Sequence, residues 1–237
     1  MNLLTGTSGF SYKEWKGPFY PAKLPAKEML QYYASRLPAV EINNTFYRLP
    51  DPSVLREWRS RVPDSFRFAI KAARKITHLK RLVDCGEELR FLLKAVAELQ
   101  PCLGSILFQL PPFQKNDLPR LASFVDELPD DTRAAFEFRH ESWFDEPVFA
   151  LLAGRNFALV RAESDETAAP DVPWTANWAY LRLRKSAYLG GELDAWLERL
   201  HAGRVDEAQV FFKHEDEGAA PRMAQELLSR YAGVSGA

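Results

Sequence analysis

The stretch RAAFEFRHESWF (133–144) decides how the chain is read. Ala135, Phe136 and Phe138 suit a packed, pleated strand. Glu137 and Arg139 alternate with the two phenylalanines, however, and His140 follows directly. If the apolar parity faces helices, the charged parity must point to the other side of the sheet, so the location of that side sets both fold and site.

The same pattern recurs along the chain. Short β-rich runs stand at LLTGTSGF (3–10), AVEINNTFY (39–47), FRFAIKA (66–72), GSILFQL (104–110), RAAFEFRH (133–140), FALVRAE (157–163), WAYLRLRK (178–185) and QVFFKHE (209–215). Helix-like segments separate most of them. Asp51-Pro52 reads as an N-cap followed by proline at the first helical position, and Pro221 is read in the same role. EELRFLLKAVAEL (87–99) carries Leu89, Leu92, Leu93, Val96 and Leu99 at helical spacing. Strand–helix alternation implies parallel strands joined by right-handed crossovers. Eight such units favour a closed barrel over an open sheet. The expected fold is therefore α/β, a single (β/α)8 TIM-like barrel over residues 1–237. SDETAAPDVPWTANW, between the sixth and seventh runs, reads as an irregular loop in place of a helix.

In a barrel, one strand face packs on the outer helices and the other points inward. Val40, Ile42, Phe68, Ile70, Ile106, Phe108, Phe136, Phe138, Leu181 and Leu183 make the helix-facing parity apolar. Glu41, Asn43, Lys71, Gln109, Glu137, Arg139, Arg182 and Arg184 then point inward near the strand ends, where barrel enzymes keep their sites. Two runs are ambiguous. Either Lys213 or His214 points inward, and Arg161 and Glu163 do so only if Val160 faces the helices.

Composition narrows the function classes. Hydrophobic residues make up 46% and charged residues 27% of 237, with a formal net charge of -1, which lacks the footprint of a protein that coats nucleic acid. Cys85 and Cys102 lack a CxxC spacing and are expected as reduced thiols. No basic-then-apolar leader precedes Leu3, and no apolar run approaches the roughly 20 residues of a membrane span. A cytoplasmic protein without membrane association is expected. The absence of GxxxxGK[ST] and GxGxxG gives no support for a nucleotide cofactor, and no cofactor is expected.

Several long motifs, in order, resemble one family. GTSGFSYKEWKGPFYP, YYASRLPAVEINNTFYRLP, FRFAIKAARKITH, LFQLPPFQ and AFEFRHESWF are similar to segments of the YecE-like family, domain of unknown function 72, over Gly6 to about Leu228. The resemblance implies a TIM-barrel-like fold and leaves the activity open. The chain departs from many relatives late: RLRK (182–185) stands for an Arg-x-His-Gly run, and KHED (213–216) for Asn-Asn-Asp.

Three constellations carry candidate chemistry. Glu41 and Glu137 lie three strands apart and face each other across the mouth; with Lys71 they form the candidate catalytic set, because paired carboxylates can divide acid and base roles. The competing reading is a buried ion network that neutralises Lys71, Arg139 and Arg182. The substrate-binding candidates are Asn43, Gln109, Arg139, His140, Arg182 and Lys213, whose converging cations suit a small anionic ligand. Tyr12, Trp15 and Trp143 join them as aromatics able to stack a sugar or base, or else to close the rim as a hydrophobic cluster with Phe10, Phe19 and Tyr20. A metal reading would use His140, Glu141, Glu163, His214 and Glu215; without HxH or HExxH spacing, no metal is expected. The leading function is a metal-independent barrel enzyme with glutamate acid/base chemistry on a small anionic or sugar-like substrate. The alternatives are an enzyme acting on nucleic-acid phosphodiesters or lesions, in which the aromatic loop stacks a flipped base, and a non-catalytic ligand-binding module.

Overall fold

A computed structural model describes residues 1–189, 191–213 and 216–235. Its strands are β1 (Asn2–Ser8), β2 (Ala39–Ile42), β3 (Arg67–Lys71), β4 (Leu103–Gln109), β5 (Ala134–Glu137), β6 (Ala158–Leu159), β7 (Arg161–Ser164), β8 (Trp178–Arg184) and β9 (Glu207–Phe212). They form one parallel sheet in the order β6-β5-β4-β3-β2-β1-β9-β8-β7. The two end strands are halves of one run. β6 pairs with β5, β7 pairs with β8, and the change of partner falls at Val160, whose N–H still donates to the Phe136 carbonyl at 2.9 Å. The eight runs thus become nine strands in a nearly closed, TIM-like barrel.

The helices are α1 (Met29–Ala34), α2 (Pro52–Ser60), α3 (Gly86–Val96), α4 (Leu118–Asp126), α5 (Glu146–Gly154), α6 (Glu192–Ala202) and α7 (Ala219–Ser235). Asp51 caps α2 as expected, its carboxylate accepting from the Ser53 N–H at 2.9 Å. Pro221 differs from expectation: α7 begins at Ala219, which puts the proline at the third helical position. There its missing N–H still falls among the unsatisfied donors of the first turn. No helix joins β7 to β8, in agreement with the loop read at that point.

Two cores follow the two parities. Val40, Ile42, Phe68, Ile70, Ile106, Phe108, Phe136, Phe138, Leu181 and Leu183 pack outward against the helices. Inside the barrel, Ala39, Ala69, Ala135 and Ala158 leave room for Trp178, Tyr180 and Phe211. Below this layer, Ser105 donates to Gln209 at 2.7 Å. Val160 belongs to the inner set, so Arg161 and Glu163 point outward: Glu163 accepts from Trp196 of α6 at 2.8 Å, and the Arg161 guanidinium lies 3.6 Å from the Trp174 ring centroid. Phe211 is inner as well, which aims Lys213 at the mouth. His214 and Glu215 lie outside the described residues.

β1 and β2 approach so closely that a Cβ on Gly6 would meet the Ala39 carbonyl oxygen at 1.8 Å. Gly9, at φ +99°, turns the chain directly after Ser8 and donates its N–H to the Glu41 carbonyl at 2.8 Å. These two glycines set Ser8 beside Glu41, the first contact of the site.

Candidate functional site

Above the aromatic layer the interior becomes ionic. Glu41 is fully buried, and both carboxylate oxygens are occupied. Oε1 accepts from Ser8 Oγ at 2.7 Å, Asn43 Nδ2 at 2.8 Å and Arg182 at 2.8 Å, while Oε2 accepts from the Tyr180 hydroxyl at 2.7 Å. Burial by itself raises a carboxyl pKa; the Arg182 charge and these donors outweigh it and hold Glu41 at about 2. The other arm of Arg182 donates to Glu137 at 2.7 Å, and Arg184 reaches the same carboxylate at 3.2 Å. Arg182 therefore bridges two anions from β2 and β5, and it stays charged well above neutral pH.

Over this cluster opens a cavity of about 620 Å³. Among the described residues its charged lining is Lys71, Arg74, Arg139, Arg182, Arg184 and Lys213, with no carboxylate. Among the described residues, the buried Glu41 and Glu137 are the carboxylates that pair with any of these six cations. The Nε atoms of Arg182 and Arg184 are buried and have no partner among the described residues. Arg139 is exposed, with no hydrogen bond or ion pair of its own among them.

Lys71 stands apart from the other cations. Its ammonium donates to the neutral Gln109 Oε1 at 2.8 Å and lies 4.5 Å from the Phe46 ring centroid. Burial, then the nearby Arg182 and Lys213 charges, lower its pKa to about 8, although Glu41 and Glu137 pull the other way. His78 lines the same cavity and is pushed to about 4 by burial and by the Lys71 and Arg74 charges.

The structure redistributes several candidates. Lys71, Asn43, Gln109, Arg139, Arg182, Lys213 and Tyr12 all line the cavity. Trp15 and Trp143 do not, because both are buried in the outer core. Trp15 packs with Tyr12, Phe19 and Tyr20. Trp143 stacks on Phe138 at 4.5 Å and 5°, and its indole N–H donates to the Gln114 carbonyl. Apolar burial of these large rings outweighs any gain from leaving them at the rim. His140 accepts from the Ser142 N–H at 3.2 Å and caps the short 3-10 turn Glu141–Trp143. Glu163 is outside the barrel, and no three His, Cys, Asp or Glu side chains gather among the described residues.

Sequence reading missed Ser8, Tyr180, Arg74 and His78. Ser8 and Tyr180 were accessible, since each sits on the inward parity of its strand, two residues from Gly6 and Arg182 respectively. His78 looked helical. It lies in a π-helical turn, Lys75–Leu79, that swings back over the mouth, and no periodicity announces such a turn.

A nearly closed parallel barrel with a cationic mouth over a buried carboxylate–arginine cluster defines the class: a TIM-like barrel with its polar site at the carboxyl ends of the strands. Within that class the chain belongs to the DUF72 family, described as a protein of unknown function, which matches residues 4–235. It is 36% identical over 116 residues to UPF0759 protein YecE of Escherichia coli K12, covering 48% of this chain and 43% of YecE. To UPF0759 protein YunF of Bacillus subtilis 168 it is 31% identical over 141 residues, covering 55% and 49%. These matches span about half the length of the curated relatives or less. The crystal structure of a DUF72 family protein from Thermotoga maritima MSB8 superposes with a TM-score of 0.85 at 25% identity, covering 98% of this chain and 100% of that one. A DUF72 family protein from Enterococcus faecalis V583 superposes at 0.77 and 20% identity, over 96% and 94%. No helix among the described residues is long and apolar enough to cross a membrane.

Proposed function

We propose that this protein is a metal-independent barrel enzyme that binds a small anionic substrate, such as a carboxylate or a phosphorylated sugar, in the cationic mouth. The observation that carries the reading is a lining of six cations and no carboxylate among the described residues. Acid/base work is placed on Lys71 rather than on the glutamates. Glu41 has no free oxygen and holds its proton only near pH 2, so it and Glu137 serve to fix Arg182. Lys71 faces the cavity with its proton balanced near pH 8, within the useful range for proton transfer. For the nucleic-acid reading, Trp15 and Tyr20 of the aromatic loop are buried, which leaves Tyr12 as the ring of that loop on the cavity wall. A cytoplasmic location accompanies the proposal, supported by the unpaired thiols of Cys85 and Cys102.

Thermal-shift titration with inorganic phosphate, sugar phosphates and dicarboxylates tests the mouth. At a hundred times Kd, binding adds about 2.7 kcal/mol, which for a chain of this size raises Tm by roughly 5–10 °C. No shift at millimolar anion sinks the reading. Arg139→Met isolates the ligand contribution. Because Arg139 is exposed and without a partner among the described residues, Tm should stay within about 2 °C of the parent, while the anion-induced shift is largely lost. A large fall in Tm would instead mark Arg139 as scaffold.

The affinity for anions should also weaken as pH rises through about 8, where Lys71 loses its charge. Lys71→Arg keeps the charge at all accessible pH and should flatten that limb.

A further inference from the structure

We propose that the Lys71 amine captures the carbonyl carbon of an anionic aldehyde or keto acid as an imine, with the mouth cations holding the substrate's carboxylate or phosphate. The inference deepens the anion-site reading and rests on it.

The geometry separates Lys71 from lysines kept for their charge. Lys75, Lys80 and Lys185 sit on carboxylates, at 2.7 Å from Glu88, 2.8 Å from Glu88 and 2.7 Å from Glu192. Lys71 has an amide oxygen and an aromatic face instead, at the carboxyl end of β3 and on the wall of the cavity. An amide acceptor orients the nitrogen without adding the anion that would lock its proton in place. Half-burial and neighbouring cations act in the same direction, which is how an amine nucleophile is activated. With a pKa of about 8, the neutral fraction at pH 7 is on the order of a tenth, ~250-fold above an ordinary lysine.

The rest of the mouth favours this chemistry over glycosidic hydrolysis. Hydrolysis needs two carboxyl groups free to reach the substrate, and here Glu41 is saturated and Glu137 is clamped between Arg182 and Arg184. Imine formation needs only the amine and a mobile proton. The Nζ lone pair adds to the carbonyl carbon while the C=O π pair moves to oxygen, and a proton passes from nitrogen to that oxygen to give the carbinolamine. The hydroxyl then leaves as water with one further proton, and the C=N bond forms. Nothing is oxidised or reduced, and hydrolysis reverses the step.

The test is reductive trapping on the intact chain. The protein is incubated with glyoxylate or pyruvate at pH 7–8, reduced with sodium borohydride, and mapped by peptide mass spectrometry. A carboxymethyl group from glyoxylate is expected on Lys71 at on the order of tenfold the mean occupancy of the other lysines, following its larger neutral fraction. Inorganic phosphate should suppress it. Lys71→Arg and Lys71→Gln should show no enrichment at any other lysine, and Lys71→Arg should keep the phosphate-induced thermal shift. A phosphate shift in the parent with no Lys71 enrichment from either carbonyl overturns the imine while leaving the anion mouth standing. Enrichment on Lys71 that phosphate neither competes with nor accompanies by a thermal shift supports the amine chemistry and overturns the anion reading on which substrate holding rests.

Discussion

Arg182→Met should lower Tm by roughly 6–20 °C, the consequence of about 3–5 kcal/mol lost when one partner of a buried ion pair is removed from a chain of this size. Arg182 touches Glu41 at 2.8 Å and Glu137 at 2.7 Å, with all three side chains almost fully buried. Glu137 keeps Arg184 in the variant; Glu41 keeps only neutral donors. The carboxylate left behind inside the barrel would take up a proton more readily, with its folded pKa above the unfolded one. The deficit should therefore shrink as pH is lowered from 7 towards 5, and Arg182→Met combined with Glu41→Gln should recover part of it at pH 7. An unchanged Tm for the single variant would show that the cluster is not an ion-paired core.

The second large effect is the acid limb of stability. Glu41 is held at about 2 in the folded protein against an ordinary value of 4.5. A depressed folded pKa contributes stability that is complete above the unfolded value and is lost as pH falls towards the folded one. The loss should run from about pH 5 down to pH 2 and amount to roughly 3 kcal/mol for this one group. Urea denaturation between pH 3 and pH 7 measures it. Glu41→Gln should be less stable than the parent at pH 7 and show a visibly flatter slope below pH 5. Parallel acid limbs in the two proteins would assign the loss to other carboxylates.

These two predictions concern scaffold and the Arg139 and Lys71 predictions concern ligand, so together they divide the mouth into two levels. The lower level is a closed ionic cluster whose components satisfy one another. The upper level is a ring of cations with no carboxylate beside them among the described lining residues. Burying an ion network seldom gives more stability than apolar packing of the same volume. On the function proposed above, the arrangement presents guanidinium groups, with fixed orientation, to an anion that enters from solvent.

Glu137 and Arg139 in RAAFEFRHESWF do lie on the inward parity, and their neighbours Phe136 and Phe138 do pack outward. The parallel order, the barrel and the set of side chains at one end were legible because strand parity has period two and each run bears one apolar face. FALVRAE was not, since either parity is passable in a run of mixed polarity; packing of Val160 against the inner core decided it. What the sequence by itself determined is therefore which residues share a face and which end of the barrel they reach. Tertiary structure alone decided which charges meet. Glu41 and Arg182 are 141 positions apart, on β2 and β8, brought face to face by the curvature of the sheet through β1 and β9. It also decided that Trp15 and Trp143 go inside while His78 comes over the mouth, because burial of large rings and the path of an irregular turn depend on neighbours distant in the chain.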